Sequence, residues 1–91
     1  MYDWDEQKSA RNVAERGLDF RDAEQVFEGP TFSVEDTRFD YGETRLVTFG
    51  LLNGRMVVIT HTPREGKRRI ISMRKGNARE QKAYLQRLGA P

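Results

Sequence analysis

The sequence predicts an α+β fold: two N-terminal helices, a four-stranded antiparallel meander sheet and a C-terminal helix. Three observations carry this. Apolar residues recur at helical spacing before Pro30 and again after Asn77. Between those points they alternate at the two-residue spacing of strands. The alternating stretches are joined by short turn sequences, Asn53-Gly54 above all, and short turns join antiparallel neighbours.

Each element has its own signals. "DWDE" starts the first helix, with Asp3 as N-cap and Glu6 completing a capping box. Ala10, Val13 and Ala14 form its apolar face, and Gly17 ends it as a left-handed cap with Leu18 packing back. "DFRDAEQVFEGP" is a second, short helix with Phe20, Ala23, Val26 and Phe27 on one face, stopped by Gly29-Pro30. "TFSVED" alternates as the first strand, and "TRFDYGE" is a loop able to turn at Asp40, Tyr41 and Gly42. "TRLVTFGLL" and "RMVVITHT" flank the Asn53-Gly54 hairpin, with Pro63 limiting the latter strand. "PREGK" turns the chain into the fourth strand, "RRIISMRK". The last helix, "NAREQKAYLQRLG", has Asn77 as N-cap, Glu80 as its capping-box partner, Tyr84, Leu85 and Leu88 as its stripe, and Gly89 past its end.

Composition bounds the function. A chain of 91 residues, 36% hydrophobic and 33% charged, suits a single domain over residues 1–91. No apolar run is long enough to span a bilayer, and "MYDWDEQKSARN" lacks the apolar core of a signal peptide, so a cytoplasmic protein without membrane contact is expected. Without cysteine, and with His61 as its one histidine, the chain offers no disulfide and no structural zinc site. No metal or other cofactor is expected. Net charge is +2, but its distribution is uneven. Arg64, Lys67, Arg68, Arg69, Arg74, Lys75 and Arg79 cluster against Glu65 alone, while the first half is acid-rich. That suggests a surface facing a polyanion, although a solvated charged face has the same pattern.

Strand alternation separates two faces. Val47, Phe49, Leu51, Val57, Ile59, Ile71 and Met73 make one apolar side, expected to carry the first helices. Leu46, Thr48, Val58, Thr60, Thr62, Ile70, Ser72 and Arg74 make a mixed side, partly covered by the last helix, with the look of a binding surface.

The stretches "WDEQKSARN", "GLDFRDAEQVF", "DTRFDYGETR", "LLNGRMVVITHT" and "RIISMRKGNAREQKAY", in that order, carry a resemblance covering nearly the whole chain. The chain resembles the BrnT toxins of type II toxin–antitoxin pairs, whose fold is like that of the RelE ribonucleases. The resemblance implies a metal-independent endoribonuclease acting on messenger RNA. It also implies a BrnA-type antitoxin partner with a ribbon-helix-helix DNA-binding end, through which the complex would reach operator DNA. Glu15-Arg16 stand where family members often carry a Lys-His pair before the glycine, so one charge is reversed there.

Metal-free RNA cleavage needs the 2′-hydroxyl deprotonated, charge to offset a dianionic phosphorane, and a proton for the leaving 5′-oxygen. Arginine suits the middle task, since its planar fork holds two phosphate oxygens. Arg74 closes the mixed face, beside the N-terminus of the last helix, and Arg64 follows Thr60 and Thr62 in parity. The two start at opposite ends of adjacent strands and converge only if "PREGK" curls back. Glu65 joins the candidates only through the resemblance; a loop glutamate is otherwise simply solvated. Arg69 and Arg68 point to opposite faces, and pairing with an acid explains either. Tyr84 lies one turn after Glu80, with a hydroxyl able to reach the mixed face or a ring that merely packs. Glu80 reads foremost as a cap.

Arg64, Glu65, Arg69, Arg74 and Tyr84 are thus the catalytic candidates, and Lys8, Lys75 and Arg79 the RNA-binding ones. His61 has the parity of Val57 and Ile59, toward the helix-covered face. Lys8 and Asn12 share a side of the first helix and can touch phosphate, or simply be exposed. Trp4 and Phe20 read as staples between helices and sheet rather than base-stacking platforms. Two other function classes fit the same basic face. A non-catalytic nucleic-acid-binding module would ignore Glu65→Gln and Tyr84→Phe. A protein-interaction domain would lack the steep salt dependence of polyanion binding.

Overall fold

The computed structural model describes residues 1–88. Its elements are β1 (Tyr2–Trp4), α1 (Glu6–Arg16), a 3₁₀ turn (Phe20–Asp22) leading into α2 (Ala23–Glu28), β2 (Phe32–Glu35), β3 (Leu46–Leu52), β4 (Arg55–Arg64), β5 (Lys67–Lys75) and α3 (Ala78–Arg87). The strands form one five-stranded mixed sheet in the order β1-β5-β4-β3-β2. The four expected strands are there as an antiparallel meander. The fifth, β1, is an addition: three residues running parallel to β5, with Asp3 opposite Arg69.

That strand corrects the start of the first helix. Asp3 and Asp5 are both suitable caps by residue type. Asp3 is taken by the sheet, where its carboxylate meets Arg69 at 2.7 Å. Asp5 therefore caps α1, accepting from the Gln7 and Lys8 amides. Gly17 closes α1 in the left-handed conformation, as its position suggests. The face of α1 differs from expectation too. Ala10, Val13 and Ala14 are exposed, and Ser9 and Asn12 are buried instead. Ser9 Oγ accepts from the Phe20 amide, and Asn12 Nδ2 donates to the Leu18 carbonyl at 2.8 Å. These bonds satisfy the chain where it turns, so polar side chains are buried at little cost. Asn12 is thereby tied up inside rather than offered to phosphate.

Both β-hairpins close with two residues at positive φ, Asn53-Gly54 and Glu65-Gly66. The second makes "PREGK" a tight turn that does not curl, and β4 runs through Pro63 to Arg64. The pairing of β4 with β3 ends at His61 opposite Leu46, so Pro63 deprives no ladder of a donor.

Register also revises the two faces. A two-residue loop sets odd-numbered β3 residues opposite even-numbered β4 residues, as in Phe49 with Val58 and Val47 with Thr60. Val47 and Phe49 therefore lie on the second face, and Thr48 on the first, reversing the expected assignment. A bulge in β5 beside Thr60 and His61 places Ile70 opposite His61 and into the first core. That core joins Leu18, Phe20, Ala23 and Val26 of the helical segment to Val57, Ile59, Ile70 and Met73 of the sheet. Trp4 packs against it and Phe20 is 1% exposed, so both serve as staples. The second core is smaller: Met56, Val58 and Tyr84, with Phe32, Val47 and Phe49 against them. Of the stripe expected on α3, Tyr84 is buried, but Leu85 is 52% exposed. The Asn77–Glu80 capping box is present, while Gly89 lies outside the described residues. Among those residues no helix is long and apolar enough to cross a membrane.

His61 sits in the first face's interior, edge-on to Phe27, sharing a hydrogen bond of 2.6 Å with Thr48 Oγ1. Burial, aided by the charge of Arg68, lowers its pKa from 6.5 to about 4. The unfolded chain therefore takes up this proton before the folded one does. The stabilising contribution is complete above pH 6.5 and is lost as the pH falls toward 4. The melting temperature is expected to drop over that window, and His61→Gln, which keeps a partner for Thr48, to remove most of the drop. A pH profile of thermal melting for the two proteins checks this.

Candidate functional site

The second face is only half covered by α3. The open half is a groove of about 480 Å³. Val47, Val58, Thr60 and Ser72 make its floor, Val34 to Arg38 one wall, and Arg16 and Arg74 the remainder. An apolar and hydroxylic floor edged by three arginines suits an anion with a flat or apolar part.

Arg74 reaches the groove because it lies opposite Val58, near the end of β5. Its Nη1 and Nη2 donate to the two Glu80 carboxylate oxygens at 2.8 and 2.7 Å. Glu80 also accepts from the Asn77 amide at 2.9 Å, so one carboxylate serves both the helix cap and the guanidinium. Hydrogen bonding to Arg74 holds the Glu80 carboxyl below its ordinary range. The capping box also occupies an amide of the helix start that sequence alone offers to phosphate.

Arg38 enters from the loop after β2. Its Nε and Nη2 donate to Asp36 at 3.0 Å each. The Asp36 side chain, 4% exposed, also accepts from the Arg38 amide and from the Tyr41 hydroxyl. These bonds, that with the Arg38 side chain foremost, hold its carboxyl far below the carboxylate range. Arg38 is close enough that its charge opposes that of Arg74. The same loop stacks Arg45 over the Tyr41 ring at 4.1 Å and pairs it with Glu43, which reaches Arg64 at 3.5 Å. Sequence reading passes over Arg38 because nothing local distinguishes it from any loop arginine. The signal was present in "EDTR", where an acid two residues before an arginine can clamp it.

The other candidates divide by place. Arg69 lies opposite Thr62, on the groove's side of the sheet, and is paired with Asp3. Arg68 is on the other side, its guanidinium 3.8 Å from the Phe27 ring centroid. Lys8 and Lys75 flank the groove: Lys8 lines a shallow recess of α1 with Arg11, Arg16 and Ser72, and Lys75 borders Arg16 and Arg74. Arg79 is exposed on α3.

Arg64 and Glu65 are not brought to Arg74. Arg64 and Val58, the residue opposite Arg74, are six residues apart along β4, about 20 Å at the rise of an extended strand. Tyr84 does not present its hydroxyl to the groove either. It is 5% exposed and donates to the Pro30 carbonyl at 2.8 Å, and burial pushes its pKa up. Among the described residues no group of three His, Asp or Glu side chains is placed to hold a metal ion.

The family model described as the ribonuclease toxin BrnT of type II toxin–antitoxin systems matches residues 4–80. The match takes in the groove floor, both of its walls, Arg74 and Glu80, and stops short of Tyr84. No curated protein matches the chain.

Proposed function

Since the chain belongs to the BrnT family of ribonuclease toxins of type II toxin–antitoxin systems, we propose that it cuts messenger RNA in the Arg16–Arg38–Arg74 groove without a metal ion. The observation that carries this reading is the convergence of Arg38 and Arg74 on one groove of the half-open sheet face. The 2′-hydroxyl of one nucleotide attacks the neighbouring phosphorus. The bond to the 5′-oxygen breaks, leaving a 2′,3′-cyclic phosphate and a 5′-hydroxyl. The arginines offset the charge of the phosphorane between these states. Water takes the 2′-hydroxyl proton, since strand register turns Glu35 to the Leu46 side of the sheet, away from the groove floor. Water supplies the proton to the leaving oxygen. Arg69, Lys8, Lys75 and Arg79 hold the RNA to either side. Arg64 and Glu65 lie at the far hairpin tip, where they meet flanking RNA.

A type II toxin has an antitoxin partner. Here we take it to be of the BrnA type, with a ribbon-helix-helix end that alone contacts operator DNA, and both proteins to act in the cytoplasm. Val34, Val47 and Val58 among the three arginines suit an acidic, amphipathic antitoxin segment that would displace RNA.

The test is cleavage of a defined single-stranded messenger fragment by the purified protein. Cutting is expected to continue undiminished in EDTA and to yield cyclic-phosphate ends. Activity abolished by EDTA would overturn the metal-free mechanism, and no cutting at all would remove the reading.

A further inference from the structure

We propose that Asp36 and Glu80 are positioning residues, holding Arg38 and Arg74 as a two-sided grip on one RNA phosphate at the expense of raw affinity. The inference rests on reading the groove as the site of cleavage.

The two arginines are held alike. Arg38 meets Asp36 side-on through Nε and Nη2, which leaves Nη1 free for a ligand. Arg74 meets Glu80 end-on through Nη1 and Nη2, and Nη1 also donates to the Lys75 carbonyl at 3.4 Å, which leaves Nε and the outer hydrogen of Nη2. In both pairs the acid is anchored and the base is not. The Asp36 and Glu80 side chains are 4% and 18% exposed, and those of Arg38 and Arg74 are 75% and 41%. Each acid has a second tether. Tyr41 donates to Asp36 and the Asn77 amide donates to Glu80. Pairs made only for stability have no reason to present the cation to solvent over a groove. Two guanidinium groups on one groove repel each other, and their long side chains would swing apart without such tethers.

The tethers have an electrostatic consequence. They neutralise two of the three arginines edging the groove and leave Arg16, which makes no ion pair among the described residues. Attraction for a resting polyanion is thereby weakened. Orientation is gained where charge builds on the phosphorane, so the benefit appears in turnover rather than in binding.

Glu80→Gln and Asp36→Asn test this, with kcat and KM measured on a single-stranded RNA oligonucleotide. A 2′-O-methyl copy of that RNA, which cannot be cut, reports affinity across a salt series. We expect kcat to fall about tenfold to a hundredfold through misorientation. Binding of the uncut copy is expected to tighten, and its salt slope to steepen by about 0.7 per variant as one more cation is released to phosphate. Asn77→Ala is the control for helix fraying, since it removes the other half of the capping box and leaves the Arg74–Glu80 pair.

Three results would overturn the inference: unchanged kcat with tighter binding, weaker binding in parallel with lower kcat, or an Asn77→Ala loss equal to that of Glu80→Gln. If the parent protein cuts no RNA, the ribonuclease reading falls by itself. Guanidinium NMR then judges the holding, which predicts slowed rotation of Arg74 in the parent and release in Glu80→Gln. Free rotation in the parent would overturn it.

Discussion

Arg74→Ala is expected to lower the rate of RNA cleavage about a hundredfold while the protein stays folded. A charge-assisted contact made in the transition state is worth about 2–3 kcal/mol, which is that factor in rate. The structure adds a reason for a loss at the upper end. Removing the guanidinium leaves the Glu80 carboxylate without its cation beside the groove, where it would repel a bound phosphate. Stability should change little, because the pair is partly exposed and such pairs contribute about 1 kcal/mol or less. Arg74→Lys should recover only part of the rate, since an ammonium cannot bond Glu80 and a phosphate through one planar fork. Cleavage of a defined RNA with EDTA present, beside thermal melting of each variant, separates these effects. Undiminished cutting by Arg74→Ala would take Arg74 out of the site.

Phe20→Ala is expected to have the largest effect on stability. Phe20 is 1% exposed and sits where the 3₁₀ turn meets the sheet, among Ile59, Ile70 and Met73. Truncating such a ring costs about 3–5 kcal/mol. A chain of this length has about 5–14 kcal/mol to lose, so the variant should give up a large share of its stability. Leu85→Ala is the instructive contrast. Helical periodicity places Leu85 on the apolar stripe of α3, but the side chain is 52% exposed. Its truncation should cost under about 1 kcal/mol. Urea denaturation of both variants decides the matter, and equal losses would mean that α3 packs more deeply than the structure shows.

Elements whose boundaries are set by local chemistry were legible in the sequence. Gly17, the Asn53-Gly54 pair and the Asn77–Glu80 capping box act within a few residues, so their types suffice to place a helix end, a hairpin and a helix start. The meander followed from the short turns. The fate of Asp3 was not legible, since the choice between a cap and a strand depends on Arg69, far along the chain. The reversed faces of β3 relative to β4 were within reach, because a two-residue hairpin dictates which parities meet.

By itself, the sequence determined the fold class, the cationic character of the last strand and the placing of Arg74 on the mixed face. Tertiary structure alone decided which residues share the groove. It sent the Tyr84 hydroxyl to the Pro30 carbonyl, left Arg64 and Glu65 at the hairpin tip, and set Arg38 across from Arg74. The physical reason is the range of the forces involved. Caps and turns are satisfied by neighbours in the chain, whereas an ionic site is assembled from residues whose separation depends on sheet register and on one bulge in β5.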